Sequence, residues 1–455
     1  MWRDDQTRVP RWALVAYCIM SALAARSQPT ALGQPVADTA PRFLLAGLPI
    51  PDIPADQTTP QQPCRQLVPL LSVLNYLGEG ASYPFLMGVS GQAFRFVFEP
   101  GRWFPSLFYC CEDEWENVCQ ALGYESELVW NLDATAAVAR IEEELARGHL
   151  VLTSGLPGTQ SPHEAWCAVA AADEDRGILL LRTCYELPQQ HPWGYKPENY
   201  DPETGHHTVP IPEGDWYANM AGPYSLPRCG LFVVGAKAWQ VDRREAVLQS
   251  LERAVRFARE GEVRPDSPTF QGTLAALPPW WRQQWFGAPE PQEVVLHSGL
   301  AAYEHWIEYL EETPDPAGLT GLTMQVDEQV CQRLWESRGM AAAYLREAAP
   351  LLEPEGAGCL ERAAQRYEQV SGRFGRVGPV DTPLLRALYM EDEASHRFQQ
   401  QHPWGWGEWP FPCTGLLSAA SRRQVAGELR LCLQDEQAAV TQLEQAVKLE
   451  GRGQP

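Results

Sequence analysis

Cys64 ends the run Thr58-Thr59-Pro60-Gln61-Gln62-Pro63 and opens a strongly apolar stretch built from Leu67, Val68, Leu70, Leu71, Val73, Leu74 and Leu77. A thiol in the first turn of a helix feels the partial positive charge of unpaired backbone N–H groups. That field lowers its pKa and favours the nucleophilic thiolate. Gln62, or Gln61 beside it, can supply a donor to an oxyanion formed at the attacked carbonyl. A cysteine nucleophile also needs a base, almost always histidine, and often a third group to orient that histidine. His163 stands three residues ahead of the apolar run that begins at Trp166, and Asp173 and Glu186 are the nearby carboxylates. The chemistry these residue types specify is attack on an amide or thioester carbonyl.

Other motifs carry less. Gly88-Val89-Ser90-Gly91-Gln92 falls one residue short of a nucleophile elbow and follows no clear strand, so it reads as a packed turn. His206-His207, and Cys110-Cys111 with Cys119, lack the spacing of a metal site and read as loop or core positions. The tetrapeptide His-Pro-Trp-Gly occurs at 191–194 and again at 402–405, and reads as a Trp-anchored loop. The pattern calls for no cofactor and no metal.

The elements that must position Cys64 and His163 follow from periodicity. A helix runs from Cys64 to Leu77, then come the turn Gly78-Glu79-Gly80 and an alternating strand through Phe94, Phe96 and Phe98. Asp133 is placed to cap a helix whose apolar positions are Ala137, Val138, Ile141 and Leu145. Strands are predicted at Leu150–Thr153, Trp166–Ala172, Ile178–Arg182 and Leu231–Val234, with the turn 173–177 making a hairpin of the second and third. Beyond Trp239 the stripe Val247, Leu248, Leu251, Ala254, Val255, Ala258 has helical spacing. Further helices are predicted near 300–310, 325–349, 357–373 and 418–449.

Composition sets outer limits. A chain of 455 residues is long enough for two or three cores, and a net charge of −22 without basic clusters argues against nucleic-acid partners. Arg3, Arg8 and Arg11 precede an apolar stretch from Trp12 to Ala25, with a small-residue site after Ala24. Residues 1–25 therefore read as a signal peptide directing the chain out of the cytoplasm, with no membrane span left in the mature chain. Were that reading wrong, the chain would be cytoplasmic. Residues 26–61 read as a Pro- and Gln-rich linker. The 12 cysteines show no regular framework, so most read as small buried hydrophobes.

Read together, Cys64-Arg65-Gln66-Leu67-Val68-Pro69-Leu70-Leu71 with Asn75-Tyr76-Leu77-Gly78, and Leu86 through Arg95, resemble the N-terminal domain of the butirosin-biosynthesis protein H family. The step Arg147 through Leu152 and the run Gly299 through Trp306 continue the likeness, which covers roughly residues 62–310. The resemblance implies a papain-like cysteine-peptidase-type domain over 62–238; with the helical periodicity beyond Trp239, the chain reads as an α+β fold in which that domain is followed by an all-α helical domain over 239–455. It implies acyl transfer or amide hydrolysis through a thioester on Cys64, acting on a peptide or small acylated substrate. An export signal favours a hydrolase over an acyltransferase fed by a carrier protein. Two other classes stand beside this one: a catalytically inactive papain-like module that binds a peptide or small ligand, and a structural or interaction protein.

Overall fold

The computed structural model describes residues 67–98, 113–130, 134–154, 166–173, 176–182, 204–211, 230–264, 295–312, 321–375, 382–388 and 418–452, with isolated positions between them. Among those isolated positions are Leu44, Leu45, Leu48, Tyr200 and Asp201. Residues 1–43, on which the signal reading rests, and both His-Pro-Trp-Gly segments lie outside the described residues. No described helix is long and apolar enough to cross a membrane.

The fold is α+β. Six strands form one antiparallel sheet in the order β2-β7-β3-β4-β5-β6. They are β2 (Tyr124–Trp130), β3 (Leu150–Ser154), β4 (Trp166–Asp173), β5 (Ile178–Arg182), β6 (His207–Pro210) and β7 (Gly230–Lys237). Register is fixed by pairs such as Thr153 with Cys167, Ala168 with Arg182, and Leu181 with His207. Because side chains alternate across a strand, the sheet has two apolar faces. Val151, Cys167, Val169, Leu179 and Leu181 face α4 (Ala134–Ala146), whose Ala137, Val138, Ile141 and Leu145 cover them. Leu150, Leu152, Ala168, Leu180, Phe232 and Val234 face the helices of the main core.

The centre of that main core is α1 (Leu67–Tyr76), in which Leu67 through Leu74 are all buried. A helix apolar all round must be enclosed, and α1 is: it packs on β3, β4 and α2 (Tyr83–Ser90). Ser82 caps α2 by accepting from the Phe85 N–H at 3.0 Å, and Gly91 ends it in the left-handed conformation. The segment 26–61 is not linker throughout, because Leu48 is 1% exposed and the Leu45 N–H donates to the Ala170 carbonyl at 2.9 Å. Ala170 is the extra residue where the β4–β5 register shifts, so its carbonyl has turned away from β5.

The C-terminal region is helical, as its periodicity predicts. It comprises α5 (Arg243–Arg259), α6 (Gly299–Glu312), α7 (Gly321–Ala348), α8 (Pro354–Phe374), α9 (Pro383–Leu388) and α10 (Ala419–Leu449). One core is built almost wholly from its own helices, with Trp306, Val370, Phe374, Leu385 and Leu429 packed around Phe96 and Phe98, and a second is shared with the sheet region. Tyr344 and Leu345 of α7, Leu360 of α8 and Leu443 of α10 share one cluster with Leu67, Leu86 and Leu152. Hydrophobic burial continues straight across the 238/239 boundary, where a change of periodicity suggested a new domain.

A second correction concerns Phe94, Phe96 and Phe98. The three rings are buried, but only β1 (Val97–Phe98) is a strand, and Val97 between Phe96 and Phe98 is buried as well, so the strand has no solvent face. Phe94 meets Tyr344 and Tyr367, while Phe96 and Phe98 pack on Tyr303 and Trp306. β1 also joins two short strands from beyond residue 239, β8 (Glu262–Val263) and β9 (Leu296–Ser298), in the order β1-β9-β8. Helix α3 (Asp113–Leu122) and strands β2 and β6 carry no clear sequence signal.

Candidate functional site

Cys64, Gln61, Gln62, His163 and Glu186 lie outside the described residues, so the elements on either side of them define where they attach. Cys64 precedes α1 by three residues. The other end of α1 is fixed by Glu79, whose Oε1 accepts from Tyr124 Oη at 2.6 Å and from Lys237 Nζ at 2.6 Å. Burial would raise the Glu79 pKa, but the hydrogen bonds from Lys237 and Tyr124 outweigh it and hold the carboxyl below its usual range. Tyr124 and Lys237 are paired at one end of β2 and β7. The chain just after α1 is therefore anchored at that end of the sheet.

Following the register across the sheet, the anchored end holds Tyr124, Lys237, Leu150, Asp173 and Ile178. The opposite end holds Trp130, Thr153, Trp166, Arg182 and His207. β4 begins at Trp166, at that opposite end.

Asp173 is not there. It closes β4 at the far end, seven residues from Trp166 along an extended strand, which is about 20 Å. Its Oδ1 accepts from the Arg176 N–H at 3.0 Å, and Arg176 Nη1 lies 3.7 Å from its Oδ2. Arg176 also donates to Asp201 Oδ1 at 2.9 Å. Asp173 holds the β4–β5 turn and cannot orient an imidazole at the start of β4.

The end of the sheet near the start of β4 carries a polar group that spacing did not reveal. His206 and His207, read as a loop or core pair, are 2% and 4% exposed. His207 pairs with Leu181 and sets its ring against Tyr200 at 5.4 Å. His206 alternates to the other face, the α1 side, beside Arg182, which pairs with Ala168. Arg182 donates from Nε to the Leu48 carbonyl at 2.9 Å and from Nη1 to the Gly205 carbonyl at 2.7 Å. Neither ring nitrogen of His206 has a hydrogen-bond partner among the described residues. Burial, and after it the charge of Arg182, push His206 down to about 4, while burial alone pushes His207 to about 4. Both imidazoles are neutral at pH 7. The only sequence signal for them was their identity.

The remaining candidates have structural roles. Ser90 is 1% exposed, donates to the Met87 carbonyl at 3.1 Å and accepts from the Gln92 N–H at 3.2 Å, so it stitches the end of α2. Cys119, Cys167, Cys331, Cys359 and Cys432 are buried thiols, as small hydrophobes should be. Among the described residues no group of three or more His, Cys, Asp or Glu could hold a metal ion.

A buried ionic cluster was also invisible in the sequence. Arg338 Nε donates to Glu436, Tyr303 Oη donates to Glu436 Oε1 at 3.0 Å, and Arg338 Nη1 donates to the Ala93 carbonyl at 2.9 Å. It joins α7, α10 and α6 to the turn after α2, far from solvent, and its role is architectural. No protein-family model and no curated protein matches the chain.

Proposed function

We propose that the chain is a thiol-dependent amide or thioester hydrolase or acyltransferase of papain-like architecture, with Cys64 as nucleophile. The observation that carries this reading is the polarity of α1. Glu79, three residues past α1, is tied to Tyr124 and Lys237 at one end of the sheet, and β4 begins at the other. In the proposed mechanism His163 takes the Cys64 proton as general base and returns it to the leaving group as general acid. Gln62 or Gln61, with the Cys64 backbone N–H, holds the oxyanion. Asp173 has no part in it.

Alkylation by iodoacetamide tests this in the full chain. Cys64 should react fast and selectively near neutral pH, and His163→Ala should move its pH profile toward that of an ordinary thiol, near about 8.5. Sluggish labelling of Cys64 at pH 7 removes the thiolate and the enzyme with it. A second reading, an inactive module binding a peptide or small ligand at the same end of the sheet, is favoured by the placement of Asp173 at the wrong end to orient His163. Slow alkylation together with retained fold would select it.

A further inference from the structure

A strand at the edge of a sheet is held on one side only, so it is the part that opens most readily. β6 ends the described six-stranded sheet beside β5, and its hold is slight. It has four residues, and one of them, Pro210, brings no N–H to the ladder. The described backbone ties around it include the Tyr200–His207 bridge, the Asp201 N–H on the His206 carbonyl at 2.9 Å, and the Ile211 N–H on the Gly177 carbonyl at 2.8 Å.

Two imidazoles stand at the entry to this strand, one on each face of the sheet. His206 lies just ahead of β6 beside Arg182, on the α1 face, and His207, its first residue, lies opposite Leu181 on the α4 face. Both are buried, and among the described residues neither ring nitrogen of His206, nor Nε2 of His207, has a hydrogen-bond partner. An imidazolium carries two N–H donors and a charge, and burying it without partners is costly. Arg182 on β5 opposes a proton on His206, while Asp201 favours one but is already engaged by Arg176 and Thr204. α1 has no charged residue to offer. On the other face Tyr200 stands against His207, and the α4 charges Arg140, Glu143 and Glu144 are paired with Glu127, Arg147 and His149.

We infer that β6 is an acid-released latch: protonation of its two adjacent buried histidines parts the strand from β5 while β3, β4 and β7 remain paired. The inference is independent of Cys64 as nucleophile. On release Arg182 gives up the Gly205 carbonyl that it holds at 2.7 Å, and the outer edge of β5, whose Leu179, Leu180 and Leu181 are fully buried when closed, is bared. An uncovered strand edge is a template for pairing, so acid gives the sheet a pairing edge that it lacks at neutral pH. The sign follows from where the protons bind. Closed, both rings are held near 4 by burial, helped at His206 by Arg182; released, they return toward about 6.5. The open form takes the protons, so opening is least above about pH 6.5 and grows as pH falls toward 4, by up to about tenfold per pH unit for each histidine.

Native-state hydrogen exchange of the full chain, read on peptides by mass spectrometry and corrected for the intrinsic effect of pH on exchange, tests this. At pH 7 amides of β6 should exchange faster than those of β3 and β7. Between pH 7 and 5 their protection should fall by several hundredfold, the product of about twentyfold from each histidine. β3 and β7 should stay the better protected at both pH values. His206→Leu and His207→Leu should each reduce the fall in β6 to about twentyfold. Equal protection of β6, β3 and β7 at pH 5 would mean that the sheet opens only as a whole, and overturns the inference. So does β6 protection that is unchanged between pH 7 and 5, or a fall that neither substitution reduces. The first two outcomes are read on the unsubstituted chain, so a variant that fails to fold leaves the test decisive.

Discussion

Tyr344 of α7 lies directly against the backbone of Gly88 in α2, so close that a Cβ at residue 88 would fall 2.2 Å from the Cγ of its ring. The Tyr344 hydroxyl is hydrogen-bonded to Ser250 of α5, and its ring meets Phe85 and Phe94 edge-on. Three elements are locked around one ring, with backbone on one side and no room to retreat. Gly88→Ala should therefore destabilise the whole chain by about 3 kcal/mol or more, through overpacking. A lowered urea midpoint in a single transition would register it. Loss confined to the helical region, with the sheet intact, would contradict the shared core.

The Arg338–Glu436 pair gives a second prediction. Burial would lower the Arg338 pKa, but the Glu436 carboxylate outweighs it and raises it further, while burial and then Glu436 push Tyr303 upward. Glu436→Gln leaves a guanidinium buried without its counter-charge and should cost about 3–5 kcal/mol. Arg338→Met with Glu436→Leu removes both charges and should cost clearly less than the single change. A double-mutant cycle in urea measures the difference.

Stability should also fall through mild acid. His206 and His207 sit near 4 when folded against about 6.5 when unfolded, so the unfolded chain binds the protons. Their contribution is complete above about pH 6.5 and is lost as pH falls toward 4, each histidine giving up about 1.4 kcal/mol for every pH unit crossed. Urea midpoints between about pH 6.5 and 4.5 should drop with a slope approaching two protons. His206→Leu and His207→Leu should each flatten it by about one.

Thiol accessibility supplies a fourth check. Cys119 is pushed up to about 12 by burial, and Cys167, Cys331, Cys359 and Cys432 are likewise buried. All five should resist iodoacetamide in the native chain at pH 7 and react once urea unfolds it, as peptide mapping by mass spectrometry will show. Native labelling of Cys119 would mean that α3 opens readily from the sheet.

Long elements with one clear period were legible in the sequence. The stripe through Leu251 and Val255, the strands at 150, 166, 178 and 231, and the apolar run after Cys64 all lie where periodicity put them. Strand β2 was missed because it is an edge strand whose Glu125 and Glu127 face solvent, which breaks its apolar pattern. β1, β8 and β9 are two or three residues each and exist only through partners far along the chain. Helical periodicity identified α7, α8 and α10 but could not say which core they would join. At the candidate site, Cys64 was a candidate from local helix-start context alone, and it lies outside the described residues. His206 was not legible, because its meaning comes from a register set by β5 and from the Arg182 that β5 delivers.

The core that encloses α1 is completed by Ala439, Leu443, Ala446 and Val447 of α10. A ribosome adding about 5–20 residues per second delivers Leu67 on the order of twenty seconds or more before Val447. Throughout that interval α1, whose residues Leu67 through Leu74 are all buried, has only part of its covering. Native structure cannot grow outward from the N-terminus and wait for the rest. The newborn chain lacks that covering until α10 arrives, and a chain halted before α10 would present α1 as a sticky surface.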